Sequence, residues 1–564
     1  MPHFDLPISS NLYLDLRGNM SCAFGFFWAA ISIAVAAPAS AQNSTPEITP
    51  DEIRAHVEFL ADDTLEGRNA GSKGYEIAAQ YVASQYRFMG LQPKGDEGSW
   101  KQIVSFREAR FDGNPSLTLT VDGKSQTFTH GENILISKSL LDQKLDVEAP
   151  LVFVGFGMDR PDLGLDDYAG LDVKGKIVVI LSGFPKGLSS EMGAHLSSVK
   201  SQMAEARGAI GVISVLTRQS MASVPWATYQ KYGNEPSLSW VTPDGTPFLR
   251  APAIRGRSVL SEQVAQMLFA NAQSSFDAIL TEADEEGGRP KGFPLNATAR
   301  LTSSNIWQSV SSPNVIAMLP GSDRELADEY VLMVAHLDGL GISESEIGED
   351  KIRNGAMDNA AGVATMLEVA RQLAKSDVKP RRSILFAALT GEEDGLLGAD
   401  YLAHNPVIGD GEVVAVVNFD MPVLLYELED IVAFGAENSS LGPMVDAAAK
   451  SVNLKLSPDP MPEQGVFTRS DHYRFVQKGI PSVFLATGFG GEGGKQFGDF
   501  LKNHYHQVSD DLALPFNWEA AAIFAQVNYQ IVRTVANADA KPLWYDGNFF
   551  GNEFAADMDK APAP

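Results

Sequence analysis

Cysteine is all but missing from this chain of 564 residues: there is one, Cys22, inside an apolar stretch near the N-terminus. Once that stretch is removed no thiol remains, so disulfides, thiolate metal sites and a cysteine nucleophile are excluded. A Gly-x-Ser-x-Gly nucleophile elbow is missing too. Basic residues are scarce, 44 Lys and Arg against 71 Asp and Glu, for a net charge of −27. That balance argues against nucleic-acid binding, because phosphate recognition wants a basic face. The run from Cys22 to Ala37 is short for a membrane span, and no internal repeat is visible.

Several features of the leader are informative. Phe24, Phe26, Phe27, Trp28, Ile31, Ile33 and Val35 give the stretch its bulk, and Ala39-Ser40-Ala41 then precedes the polar Gln42-Asn43-Ser44-Thr45. An apolar run before an Ala-x-Ala site reads as a secretory signal over residues 1–41. Arg17 is its only basic residue, and Met20 offers an alternative start. Cleavage would leave no stable membrane span. An exported chain of this size without cysteine points to a bacterial periplasm or culture medium.

Hydrophobic content of 44% and charged content of 20% are those of a globular protein with room for two or three domains. Residues 42–112 read as helical: a helix through Ile53, Val57 and Leu60 capped by Thr49 or Asp51, a glycine-bearing loop from Leu65 to Gly71, and a helix from Tyr75 to Met89. Residues 113–297 read as a separate β-rich domain. They hold a hairpin signal at Leu117–Val121 with Asp122-Gly123, strands at Pro150–Phe156, Lys176–Leu181 and Ile210–Val215, and a helix over Ser198–Arg207. From Asn314 strands and helices alternate. Apolar runs at 315–319, 330–335, 383–388, 413–418 and 482–485 are separated by amphipathic segments at 359–374, 395–404, 439–452, 470–478 and 517–536. The fold class expected for 298–537 is therefore α/β, with a mainly parallel mixed sheet flanked by helices. Residues 538–564 read as a loosely held tail.

Acidic residues and histidines collect where these strands end, which is where sites form in parallel sheets. His336 is the first polar residue after Val331–Ala335, and imidazole is a standard zinc ligand. Asp338 is expected behind it, since a ligating histidine needs a partner to fix its tautomer. Asp358 precedes a helix in Gly355-Ala356-Met357-Asp358-Asn359-Ala360-Ala361-Gly362; an aspartate there is most often a cap, but its two oxygens can also bridge two metals. Glu392-Glu393 follows the strand Ile384–Leu389 and Asp420 ends the strand Val413–Phe419. His506, with Asp510 four residues on, is a better ligand candidate than His504, and His472 beside Asp471 is given a non-ligand role.

Taken in order, His-x-Asp, Asp, Glu-Glu, Asp and His resemble the co-catalytic zinc exopeptidases of the aminopeptidase and glutamate carboxypeptidase type. Ala335-His336-Leu337-Asp338, Gly355–Gly362, Thr390-Gly391-Glu392-Glu393 and Tyr505-His506-Gln507-Val508-Ser509-Asp510 carry the likeness, which extends to Leu60-Ala61-Asp62 and Leu65-Glu66-Gly67-Arg68. Tyr168-Ala169-Gly170-Leu171-Asp172-Val173-Lys174-Gly175-Lys176-Ile177 resembles a protease-associated domain, inserted at 113–297. The resemblance implies two Zn²⁺ per chain, one taking His336 and Asp420, the other Glu393 and His506, with Asp358 and a water or hydroxide between them. It implies Glu392 as general base and acid and Asp338 as an orienting residue. The implied substrate is a peptide with a free N-terminus. A carboxypeptidase of the same family would read a free carboxylate instead, with Arg353 and Arg469 as candidates. A glutaminyl-cyclase-like transferase would need only one zinc, and a non-catalytic receptor-like relative would have lost ligands, whereas none is lost here.

Overall fold

The structure is a computed structural model that describes residues 48–343 and 348–564. The leader expected over 1–41 lies outside the described residues. Its main sheet is built on four parallel neighbours in the order Ser383–Leu389, Glu329–His336, Glu412–Phe419 and Ser482–Thr487. These strands read as unbroken apolar runs rather than alternating ones because both faces of the sheet are covered: every residue of Ser383–Leu389 and of Ser482–Thr487 is buried. Antiparallel strands flank the four, Phe293–Leu319 on one side and Asp430–Phe434 on the other. The mixed, mainly parallel α/β architecture expected from the alternating pattern is the one present.

Helices Pro50–Leu60, Lys73–Phe88, Ala361–Lys375, Leu441–Ser451 and Trp518–Asn537 share one core with the sheet, while Leu397–His404 and Phe475 cover the other face. The N-terminal helix begins as the sequence implies. Thr49 and Glu52 form a reciprocal capping box, followed by Pro50 at the first turn.

A second sheet takes its strands from Ser116–Val121, Lys124–Thr129, Ile134–Ile136, Lys144–Phe153, Ile177–Leu181, Gly211–Val215 and Gly256–Leu260, together with the start of Phe293–Leu319. That last strand runs 27 residues without a break. Its residues 297–302 pair with Ser116–Val121 and its residues 305–315 with Lys101–Phe111, so it passes from one sheet into the other. Ser237–Trp240, from the middle of the 113–297 segment, joins the main sheet beside Phe106–Ala109. Trp240 Nε1 donates to Asp400 Oδ2 at 2.9 Å, so a buried bond also ties this segment to the helix Leu397–His404.

Two local expectations are corrected. The helix expected over Ser198–Arg207 is broken at Val199 into Ser190–Ser198 and Lys200–Ala206. The C-terminal segment, expected to be loosely held, is packed. Trp544 is 1% exposed in a core with Phe434, Phe467 and Phe550, and its Nε1 donates to Gly479 O at 2.7 Å. The Pro/Ala composition at the extreme end concealed the aromatic residues that anchor it.

Among the described residues no helix is long and apolar enough to cross a membrane.

Candidate metal centre

The three strands Glu329–His336, Ser383–Leu389 and Glu412–Phe419 end along one edge of the sheet. Their last residues, or those just after, deliver His336, Glu392, Glu393 and Asp420 to the same place. Asp358 arrives from the irregular turn before the helix Ala361–Lys375. This turn is possible only with small residues. Gly355 has φ 60, and a side chain there would strike the Asp358 carbonyl; one at Gly362 would strike Asn359 Oδ1. The Asp358–Asn359 peptide is cis. His506 arrives from the loop after Gly493–Asn503, with φ 61, an uncommon conformation for a residue with a side chain.

These residues meet in two groups that share Asp358. His336 Nε2 lies 3.1 Å from Asp358 Oδ1 and 3.1 Å from Asp420 Oδ1. His506 Nε2 lies 3.4 Å from Asp358 Oδ2 and 3.2 Å from Glu393 Oε2. Each oxygen of Asp358 thus faces a different group. Tetrahedral donors set 2.0–2.2 Å from a zinc ion stand roughly 3.3 Å apart. The donor set, two imidazoles with three carboxylates, and its separations both fit two such ions, and each trio could hold one.

Glu392 is in neither trio, although it lines the same hollow as Asp358, Asp420 and His506. Burial lifts the Glu392 carboxyl well above the usual range, helped by Asp420, Asp471 and Glu393 and opposed by His336. Burial pulls the other way on the imidazoles, but carboxylates overcome it. Asp420 leads in holding His336 well above its ordinary value, and Glu393 leads in pushing His506 up to about 11. Burial would also raise Asp358, but hydrogen bonds from His336 and His506 hold it below the usual carboxylate range. The cluster is therefore rich in negative charge and attracts protons or cations.

Asp338 meets His336 through its main chain rather than through its carboxylate. Nδ1 of His336 faces the Asp338 backbone carbonyl at 3.1 Å, and the Asp338 carboxylate stands 4.0 Å away. The carbonyl therefore fixes the tautomer, with Nδ1 donating. The carboxylate instead accepts the amides of Glu392 at 3.2 Å and Glu393 at 3.3 Å, bracing the Glu-Glu turn.

His504 Nδ1 contacts Ser509 Oγ at 2.9 Å, outside both trios. His472 is buried beside Asn418, and burial lowers its pKa to about 3. Arg353 is buried with Nη2 donating to Ser343, whereas Arg469 is exposed at the hollow. Ser470 was not anticipated: its Oγ donates to Asp420 Oδ2 at 2.5 Å and accepts from Asn418 at 2.7 Å. Only its neighbour Asp471 drew notice in the sequence, and a lone serine carries no signal. Tyr505 stacks on His506 with ring centroids 3.8 Å apart.

The hollow has a cavity volume of about 110 Å³. Beyond the acids its walls are mostly apolar: Met421, Phe434, Met461, Val466, Phe484, Ala486, Phe497 and Leu501.

Residues 314–532 match the model of peptidase family M28. A probable zinc metalloprotease of Pyrenophora teres f. teres (strain 0-1) is 39% identical over 141 residues, 25% of this chain and 29% of that protein. Aminopeptidase Y of Saccharomyces cerevisiae (strain ATCC 204508 / S288c) is 27% identical over 239 residues, 41% of this chain and 40% of that protein. The chain thus spans less than half the length of these curated relatives. A solved aminopeptidase from Aneurinibacillus sp. strain AM-1 shares the fold, with TM-score 0.51 and 19% identity over 88% of this chain and 96% of that one. Both trios lie within residues 314–532, the stretch that matches peptidase family M28.

Proposed function

We propose that the protein is an exported two-zinc aminopeptidase that removes large apolar residues from the N-terminus of peptides. The observation that carries this reading is the pair of trios sharing Asp358, with Glu392 outside both and facing the same hollow. His336 and Asp420 would hold one ion, Glu393 and His506 the other, and Asp358 both. When bound, the ions supply Lewis acidity to the scissile carbonyl and to the attacking water.

The chain's own residues do the rest. Glu392, unligated, accepts a proton from water as the water oxygen adds to the carbonyl carbon. It returns that proton to the amine nitrogen as the C–N bond breaks. A carboxylate with a raised pKa suits this double role, because it must take up and release a proton near neutral pH. Asp338 keeps Glu392 and Glu393 in place through their amides, and Ser470 orients Asp420. The surplus of carboxylates around the hollow attracts a substrate ammonium, and the walls from Phe434 to Leu501 receive an apolar side chain beside it.

The reading of residues 1–41 as an export signal, and of 113–297 as an inserted domain of protease-associated type, rests on the sequence. Arg469, exposed at the hollow, is the one observation that favours a carboxypeptidase, because an arginine there can read a free carboxylate. Paired peptides with free and N-acetylated termini separate the two readings.

A further inference from the structure

The motif Leu65-Glu66-Gly67-Arg68 has no part in the chemistry above, yet its arginine reaches the metal centre from beneath. Arg68 is 1% exposed. Glu66, Gly67 and Arg68 have φ of 51, 68 and 52, three consecutive left-handed residues that turn the guanidinium inward. There Nε donates to Leu337 O at 3.0 Å, Nη1 to Asn354 O at 2.6 Å and to Leu60 O, and Nη2 to Gly355 O at 3.0 Å. Leu337 lies between His336 and Asp338. Asn354 and Gly355 lead into the turn of Asp358. One planar fork therefore ties together the two backbone segments that carry ligands of both trios.

All four acceptors are neutral carbonyls. Among the described residues no carboxylate lies within ion-pair distance of Arg68, so no partner offsets the cost of burying its charge. The negative charges that favour it are Asp510, Asp338, Asp358 and Glu393, all belonging to the centre or its braces. The dependence is mutual. Six carboxyl groups, those of Asp338, Asp358, Glu392, Glu393, Asp420 and Asp510, crowd around the centre, and a buried cation offsets their negative charge.

We propose that Arg68 is a positioning residue of the metal centre, clamping the His336 strand end to the Asp358 turn and offsetting the surplus carboxylates. This rests on the two-zinc reading. The test is a zinc competition titration, against a chromophoric chelator, of metal-stripped full-length wild type, Arg68→Lys and Arg68→Met, with circular dichroism and melting curves to establish folding. Arg68→Lys keeps the charge without the fork; Arg68→Met removes both. Folded Arg68→Met should bind zinc 10- to 100-fold more weakly than wild type, with Arg68→Lys in between. Variants that melt earlier but bind zinc with wild-type affinity would overturn the proposal and leave Arg68 a scaffold residue alone. If Arg68→Met does not fold, Arg68→Lys decides by the same criterion. A wild type that does not take up two zinc ions would instead overturn the two-zinc reading itself.

Discussion

Asp510 closes over the turn that carries Asp358: its Oδ2 accepts the Asp358 amide at 3.0 Å and its Oδ1 accepts the Met357 amide at 2.8 Å. Both oxygens are thus committed to the backbone, and neither is a metal donor. An asparagine would turn an N–H₂ group toward one of those amides and lose that bond. Asp510→Asn is expected to weaken zinc binding 10- to 100-fold while leaving the ligands themselves intact. Chelator competition measures this, and an unchanged affinity would show that the turn holds its shape without Asp510.

Glu392 lies outside both trios, so its removal should separate metal binding from turnover. Glu392→Gln is expected to retain wild-type zinc content and lose activity by about 10²- to 10⁴-fold in kcat. Metal analysis alongside steady-state kinetics gives both quantities from one preparation. Near-normal kcat in a zinc-loaded variant would remove Glu392 from the proton-transfer role.

The apolar wall makes a prediction about selectivity. Val466 is half-buried and lines the hollow. Val466→Trp should fill part of the space, lowering kcat/KM for N-terminal Leu or Phe relative to Ala by about tenfold or more. Equal losses for all three residues would place the side-chain pocket elsewhere.

Acid should weaken the seam between the second sheet's helices and the catalytic core. His195, on Ser190–Ser198, meets the Tyr473 hydroxyl with Nδ1 at 2.5 Å. Burial, reinforced by Arg160, lowers its pKa to about 4 from 6.5. Glu553 Oε1 stands 4.0 Å from Nε2, but burial outweighs it; unfolding takes up a proton between these two values, so stability falls as pH drops from 6.5 toward 4 and levels off below. The contribution at pH 4.5 relative to pH 7.5 is about 2 to 3 kcal/mol. Urea denaturation of wild type and His195→Gln at both pH values isolates it, because other titrating groups contribute equally to both proteins. The wild type should lose more stability than the variant on acidification; identical losses would contradict the buried neutral imidazole.

Much of the fold was legible because parallel strands buried on both faces leave unbroken apolar runs, as in Val331–Ala335 and Ile384–Leu389. The residues of the two trios were legible in part for a related reason: His336 is the first polar residue after such a run, Glu393 and Asp420 follow close behind theirs and Asp358 sits in a glycine-bearing turn, whereas His506 stands out only by its motif. Less visible was anything that acts through the backbone. Asp338 faces His336 with its carbonyl while its carboxylate accepts the Glu392 and Glu393 amides, a division that sequence does not reveal. Arg68 gave no sign of its role, because its four partners are main-chain carbonyls contributed by residues of any type. The anchored tail was missed because Trp544 finds its partners at Phe434 and Gly479, more than sixty residues away in sequence.

The most direct measurement of the central claim is hydrolysis of matched peptides by zinc-loaded protein, with a free α-amine, an N-acetyl cap or a C-terminal amide. The account predicts cleavage of the first bond in the free-amine and amidated peptides, no cleavage of the acetylated ones, and loss of all activity when zinc is removed. Cleavage of acetylated peptides at the C-terminal end, abolished by the amide, would contradict it and assign Arg469 to a carboxypeptidase.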